Sequence, residues 1–312
     1  TMFSSDRLKE LHQQSLNHWL LCEDTPDSQI LRLYHQLALD DPDFQSHIEG
    51  LVQKIHEAEM VHIHAPADLQ GLLSLTTLES AFLDTGVSYR RRFLPPHQHI
   101  PRDERQEPQS SLDGLLIFID PFEDTWAIED LPLTDFMHIT PLSVTVRLGS
   151  NQSERMGALD TVAQCAVIAA ALSPNGQKTR LIRPFASTGL WLREALDTTF
   201  DPIHTTIRDH LRAEGAFRVV PLPEVPTPAT GMIPDLSERM LSRLRKGWSK
   251  MDAEARSGAL SELLMPALRN PTLSTPRLEE LVWHRLMLGA SDVDVMSQVH
   301  LAEQSWPNEA GK

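Results

Sequence analysis

The sequence predicts an α/β fold built around a parallel sheet, and two segments carry that prediction. The first, residues 60–94, reads as strand, helix and strand: apolar residues alternate over 61–65, apolar positions then recur at helical spacing, and Gly86 ends the helix. The second is the apolar run LLIFI at 115–119, which is typical of a parallel strand buried on both faces. Together they predict a βαβ unit beside a further central strand.

The composition is that of an ordinary globular protein, with 312 residues, 41% hydrophobic residues and a formal net charge of −15. No run of about 18 apolar residues is present, so no membrane span is expected. The polar N-terminus predicts a protein that is not exported. Cys22 and Cys165 form no CxxC pair, which argues against a disulfide scaffold or a zinc ribbon and favours a cytoplasmic location. The acidic balance favours protein partners and restricts any nucleic-acid contact to a local basic patch.

Four regions follow along the chain. Residues 1–57 are predicted to be a helical N-terminal segment, 58–222 the α/β domain, 223–234 a proline-rich linker and 235–312 a helical C-terminal region. Within the α/β domain the patterns predict further strands at 136–139, 144–148, 179–182 and 217–220, and helices at 156–172, 190–196 and 203–213. Beyond the linker they predict helices at 236–248, 252–268, 277–288 and 291–301.

Two acidic residues stand at predicted strand ends, Asp68 after the first strand and Asp120 after LLIFI. Carboxylates at neighbouring carboxyl ends of a parallel sheet are suited to holding Mg²⁺ or Mn²⁺. Capping is the alternative for Asp68, because it stands just before a helix whose amide groups it can accept from. Asp120, which precedes Pro121, equally fits a turn.

The residues around Asp68 resemble the first motif of the DHH phosphoesterase superfamily, which includes the RecJ single-strand exonucleases. The motif D-x-D-G-x-x-S/A stands here as Asp68-Leu69-Gln70-Gly71-Leu72-Leu73-Ser74, followed by Gly86, Tyr89 and Pro95. The second acid that the family places after the next central strand matches Asp120. The resemblance covers residues 58–125 well and 126–220 loosely, and it implies a parallel-sheet DHH-like domain.

The chain departs from that family at several positions. Gln70 replaces the second acid of the first motif, and the Asp-His-His signature is missing, with His138 and the nearby Asp135 as the closest candidates. The family has a further acid later in its sequence. In a loose match that position is Gln164 here, although Asp160 lies close by. No glycine- and histidine-rich substrate motif follows. The remnant motif is therefore Asp68, Gln70, Asp120 and His138.

The resemblance implies a catalytically inactive member, similar to the degenerate branch that joins GINS and the MCM helicase in replication complexes. It predicts a scaffold or helicase cofactor with protein partners, single-stranded DNA as a candidate ligand and no cofactor. Its location would be the nucleoid in an archaeon or the nucleus in a eukaryote. One alternative is an active exonuclease or phosphoesterase that holds Mn²⁺ or Mg²⁺ through Asp68 and Asp120. Another is an unrelated α/β domain that binds a small anion at the loop 68–74.

Two groups of histidines are candidate metal sites. His62 and His64 alternate on the first strand, so both point to one face, where neutral packing is common; His97 and His99 lie in the following polar loop. We therefore expect the strand pair to be packed as neutral side chains and the loop pair to be exposed, and we do not expect either pair to bind a metal. The pair Asp209-His210 lies in a predicted helix and is expected to be an exposed polar pair, not a remnant of the family signature.

Two basic clusters remain. Arg90, Arg91 and Arg92 lie on the second strand with side chains on alternating faces. Arg239, Arg243, Arg245, Lys246 and Lys250 lie on one predicted helix together with Trp248. A solvated helix face is favoured for this second cluster. The alternative is a nucleic-acid contact, in which the cations hold the phosphate backbone and Trp248 stacks on a base.

Overall fold

The computed structural model describes residues 42–96, 113–121, 136–148, 151, 153–192, 201–271, 273–289 and 292–306. The elements are α1 (Pro42–Glu57), β1 (Val61–Pro66), α2 (Leu69–Thr85), β2 (Tyr89–Leu94), β3 (Leu115–Ile119), β4 (Phe136–Ile139), β5 (Leu142–Leu148), β6 (Ser153–Leu159), α3 (Thr161–Leu172), α4 (Gln177–Ile182), α5 (Thr188–Leu192), α6 (Pro202–Ala213), β7 (Phe217–Val220), α7 (Glu238–Gly247), α8 (Ala253–Leu264), α9 (Thr275–Trp283), β8 (Arg285–Leu288) and α10 (Val295–Ser305). The helices predicted before residue 42, and His97 and His99, lie outside the described residues. Among the described helices, none is long and apolar enough to cross a membrane.

Four strands form an all-parallel sheet in the order β2-β1-β3-β4, which confirms the predicted α/β class. Val61 at the start of β1 lies opposite Tyr89 of β2 on one side and opposite Leu115 of β3 on the other. The chain moves from β1 outward to β2, then returns to place β3 on the opposite side of β1. The strand order therefore reverses between β1 and β3, the position where open α/β sheets bind ligands.

Helices α2 and α3 lie against each other and bury the sheet's core. Leu75, Leu78 and Phe82 of α2 are fully buried. The residues of α3 are buried almost all round, as expected for a helix inside a core and not at its surface. Gly86 ends α2 in the left-handed conformation with φ of 77°, as its position predicts.

The predicted helix at 156–172 is wrong at its start. Residues up to Leu159 belong to β6, which pairs antiparallel with β5, Leu142 lying opposite Leu159. The helix α3 begins only at Thr161, because Asp160 caps it there. An apolar run of this length does not by itself distinguish a strand from a helix, and the pairing with β5 decides it.

The strand predicted at 179–182 is also wrong, because these residues belong to helix α4. The carboxylate of Asp84, at the end of α2, accepts hydrogen bonds from the amides of Lys178 (3.2 Å) and Thr179 (2.9 Å). The Thr179 hydroxyl donates to the same carboxylate at 3.0 Å. A residue from another helix thus satisfies the first amides of α4, a contact that the local sequence does not reveal.

Strand β7 does not close the parallel sheet. It pairs antiparallel with β8, in a region that the sequence predicts to be helical throughout, so the predicted helix at 277–288 ends at Trp283. The proline-rich segment 223–234 between these elements is packed, with Val225, Met232 and Ile233 buried. Its Ala229 amide also donates to the Ser297 hydroxyl at 2.8 Å. The predicted linker therefore does not coincide with a break in packing.

A buried charged cluster joins α6 to α9. Arg208 donates to Glu280 at 2.6 Å, and the Nδ1 atom of His204 lies 3.9 Å from the other Glu280 oxygen. Burial chiefly lowers the pKa of His204, to about 4, and the nearby Arg208 guanidinium lowers it further while Glu280 opposes the change. Burial alone would raise the pKa of Glu280, but Arg208 and His284 hold it below its ordinary range. His204 is therefore neutral and Glu280 ionised at neutral pH.

The buried His204 predicts that the folded protein becomes less stable in acid. The unfolded chain binds a proton at His204 near pH 6.5 and the folded chain only near pH 4, so stability falls as pH drops through that window. The loss is on the order of 3 kcal/mol if His204 acts alone. Urea unfolding between pH 7.5 and 4.5 measures it. His204→Gln should flatten the pH dependence, whereas the same change at exposed His56 should not. An equally steep curve for His204→Gln would contradict this assignment.

Candidate functional site

The carboxyl edge of the sheet, between β1 and β3, holds the remnant motif. Asp68 follows β1 and Asp120 follows β3, and the two strands are paired neighbours. The strand order reverses between them. Topology therefore places both predicted acids at the edge where a ligand site would be expected, as the sequence predicts.

Asp68 caps helix α2. Its Oδ1 atom accepts a hydrogen bond from the Gly71 amide at 2.7 Å. Gly71 itself lies against the end of β1: a Cβ atom at this position would be 2.3 Å from the Pro66 carbonyl oxygen. The capping alternative for Asp68 thus has direct geometric support. The amide that an anion would use at this helix start is already bonded to a carboxylate, which disfavours the anion-binding reading of the loop 68–74.

Gln70 stands where the DHH motif has its second acid. Its side chain is buried, and its amide group is hydrogen-bonded within the protein. Its Nε2 atom donates to the carbonyl oxygen of Gly189 in α5 at 3.2 Å. One turn later, the hydroxyls of Ser74 and Thr161 share a buried hydrogen bond of 3.1 Å, which links α2 to α3. These side chains connect three helices at the edge of the sheet.

The later candidates, Asp160 and Gln164, have similar structural roles. The Oδ1 atom of fully buried Asp160 accepts from the amides of Val162 (2.7 Å) and Ala163 (3.1 Å), which caps α3. Gln164 donates through Nε2 to the carbonyl oxygens of Thr140 and Leu159. The loose match of the family's later acid therefore lands on a residue that ties α3 to the ends of β4 and β6.

Gly189 explains how closely α5 approaches this edge. A Cβ atom there would lie 2.0 Å from Asp160 Oδ1, so only glycine allows the contact. The sequence places Ser74 in the motif but gives it no role, and it does not indicate Thr161 or Gly189 as site residues. Asp160 before an apolar run was a recognisable capping signal, but the link to Gly189 joins residues far apart in the sequence.

Asp120 and His138 are the two remnant residues that the fold brings into contact. The Nε2 atom of His138 lies 3.5 Å from Asp120 Oδ2. Asp120 is 1% exposed, and the His138 side chain is 27% exposed and lies on the neighbouring strand β4. The ring of His138 also packs against Phe118, with 5.2 Å between ring centroids. The two side chains are within ion-pair distance, but Nε2 of His138 has no hydrogen-bond partner among the described residues.

The residues present do not fit a two-metal centre. Such a centre needs several carboxylates around ions about 4 Å apart. Among the residues that the structure describes, no group of three or more His, Cys, Asp or Glu side chains is arranged to hold a metal ion. Gln70 carries no charge, and one oxygen of Asp68 serves the helix cap.

Comparison with known proteins adds no family. The sequence matches no protein-family model, and it matches no curated protein. The DHH resemblance therefore remains a prediction that rests on the motif residues 68–95 and on Asp120.

The paired histidines of β1 lie beside arginines. In the register of the sheet, His62 lies opposite Arg90 and His64 opposite Arg92. Burial chiefly lowers the pKa of His64, and the positive charge of Arg92 lowers it further. Neighbouring guanidinium groups also repel a metal cation. Arg91, on the other face, pairs with Glu79 at 3.0 Å, so the predicted alternation of the three arginines is confirmed.

The expectation for Asp209-His210 is half wrong. Asp209 is exposed, and it accepts hydrogen bonds from Arg208. His210, by contrast, is buried, and its Nε2 atom lies 3.0 Å from a Glu214 oxygen one turn later. The helix α6 turns His210 toward the protein because it follows Ile207 by three residues, on the buried face of an amphipathic helix.

The predicted basic cluster divides into buried and exposed parts. Trp248 is only 4% exposed, its Nε1 atom donates to Glu224 at 2.9 Å, and the Arg256 guanidinium lies 5.0 Å from its ring centre. Arg245 donates to the carbonyl oxygens of Val225 and Pro226. The ring of Trp248 is therefore not available for base stacking, which corrects the stacking part of the nucleic-acid prediction.

Asp68 provides a test of the cap. Asp68→Ala should lower the free energy of unfolding by about 1 kcal/mol, because the Gly71 amide loses its partner. Asp68→Asn should change it by only a few tenths of a kcal/mol, since an amide oxygen accepts the same bond. Urea denaturation of both variants gives the comparison. An equal loss in both would mean that the charge, and not the cap, is what the fold requires.

Gly71 provides a test of the close approach between α2 and β1. Gly71→Ala should destabilise the protein by on the order of 1–3 kcal/mol, because the new methyl group meets the Pro66 backbone. Gly258→Ala in α8 is the matched control: its Cβ would meet nothing within 4 Å. That control should be stabilised by about 0.5–1 kcal/mol. Thermal unfolding of the two variants side by side decides whether the approach is as tight as described.

Proposed function

We propose that this protein is a catalytically inactive DHH-like protein that serves as a scaffold or helicase cofactor in a DNA replication complex. One observation carries the inactive part of the proposal. The polar side chains at the carboxyl edge fasten helices: Asp68 and Asp160 cap α2 and α3, and Gln70 binds the Gly189 carbonyl. A nuclease of this family would need those side chains to converge on metal ions and a phosphate.

The charge at the edge supports the same conclusion. Of the remnant residues, Asp68 and Asp120 are the carboxylates, while Gln70 is neutral and His138 is a base. Two divalent ions carry four positive charges, which a pair of carboxylates does not balance. The small number of carboxylates at this edge therefore supports the proposal of an inactive protein.

The replication part of the proposal rests on the motif resemblance, because the inactive branch of that family works by joining other proteins. GINS and an MCM-type helicase are therefore the proposed partners. The formal net charge of −15 is compatible with a protein-binding role and with a location away from the bulk of a DNA duplex.

An active Mn²⁺- or Mg²⁺-dependent single-strand exonuclease is the second candidate, and the contact between Asp120 and His138 favours it. A buried carboxylate within 3.5 Å of a partly exposed imidazole resembles an arrangement that active sites use to move a proton. In this alternative Asp68 and Asp120 would be the metal ligands and His138 would serve as the base or acid.

A nuclease assay separates the two candidates. Purified protein is incubated with Mn²⁺ or Mg²⁺ and end-labelled single-stranded oligonucleotides, beside the variants Asp68→Asn, Asp120→Asn and His138→Asn. We expect no turnover above that of the variants. Turnover in the natural protein that all three substitutions abolish would overturn the inactive assignment; turnover that persists in all three does not arise at this edge.

The scaffold role needs its own measurement. We expect the protein to co-elute in size-exclusion chromatography with GINS or with an MCM subunit from the same organism. Asp120→Asn should form the same complex, because the proposal gives that carboxylate no role in partner binding. Separate elution from both partners would overturn the replication assignment while leaving the inactive edge as described.

A further inference from the structure

The exposed face of α7 and of the turn that follows it, Trp248–Lys250, carries a line of cations. Arg239, Arg243, Lys246 and Lys250 are all exposed. Arg239, Arg243 and Lys246 follow one another by four and three residues, which places them on one side of α7 over about 10 Å. Lys250 lies in the 3-10 turn just beyond the end of that helix. We call these four residues the basic stripe.

The described part of the chain supplies no acidic partner for the basic stripe. Among the described residues, no acid forms an ion pair or a hydrogen bond with any of its four side chains, whereas Arg245 on the same helix is bound to the carbonyl oxygens of Val225 and Pro226. The chain has 43 acidic and 28 basic residues, so acids are plentiful. Four neighbouring cations without a partner among the described residues favour an external anionic one.

The surroundings of the stripe disfavour a nucleic-acid strand. Sites for single strands combine cations with exposed aromatic rings, and the neighbouring ring of Trp248 is buried beneath Arg256 and hydrogen-bonded to Glu224. Met240, beside the stripe, is 40% exposed and offers an apolar contact of the kind found in protein interfaces.

We propose that the basic stripe is a docking site for an acidic amphipathic helix of a partner protein. A helix with glutamates repeated at the same four-three-four spacing presents them along one line, so each can face a cation of the stripe. An apolar residue next to that line would meet Met240. This site shares no residue with the carboxyl edge of the sheet, so the inference goes beyond the proposed function and does not depend on it.

Two synthetic helical peptides of identical composition test the spacing. One carries four glutamates at positions i, i+4, i+7 and i+11; the other carries the same glutamates distributed around the helix. We expect the full-length protein to bind the first at least about tenfold more tightly, by fluorescence anisotropy at low salt, and to lose that preference as salt screens the charges. Equal affinity for both peptides would overturn the proposal.

Matched variants test the residues. Arg243→Glu with Lys246→Glu reverses the centre of the stripe, and Arg155→Glu with Arg218→Glu reverses two exposed arginines on β6 and β7. Both double variants change the net charge by the same amount, and unfolding curves check that both are folded. The stripe variant should lose the peptide preference and the control should keep it. Loss in both variants, or stripe-dependent binding of a thymidine 20-mer stronger than that of the acidic peptide, would overturn the proposal.

Discussion

The contact between α2 and α3 fixes the carboxyl edge of the sheet, because buried polar bonds join the two helices and extend to α5. Ser74 and Thr161 share a hydrogen bond across the contact, and Gln70 binds Gly189 just beyond it. A buried polar group that loses its partner costs roughly 1–3 kcal/mol, so each of these side chains is held to one geometry. These contacts also determine the positions of Asp68 and Asp160, because Asp68 caps α2 and Asp160 caps α3.

Carboxylates begin most of the capped helices, and this use of acids explains why the edge resembles an active site. Five aspartates accept amide hydrogen bonds at the start of a helix: Asp68, Asp160, Asp201, Asp252 and Asp294. In an α/β fold a helix start follows a strand end, so the same position suits a cap and a metal ligand. The bond from the Gly71 amide to Asp68 distinguishes the two, and a sequence pattern does not contain that information.

Elements that depend on local pattern could be predicted from the sequence, and elements that depend on distant partners could not. Strands β1 and β3 and helix α2 follow from their own residues. Strand β8 depends on β7, and helix α4 depends on Asp84, so both were assigned to the wrong class. The contact of Asp120 with His138 required the order of β3 and β4. The burial of Trp248 has a local signal, because it follows Leu241 by seven residues and Leu244 by four, which places the three side chains on one helical face.

The neutral side chain of Gln70 is the one that the packing at this edge requires. Its amide nitrogen donates to the Gly189 carbonyl in a setting where the side chain is 6% exposed. A carboxylate at this position would face that carbonyl oxygen without a hydrogen to share, and burial would add the cost of removing a charge from water. An acid at residue 70 would therefore disrupt the contact between α2 and α5 before it supplied a metal ligand. The hydrogen bond to Gly189 thus limits which side chains residue 70 can carry.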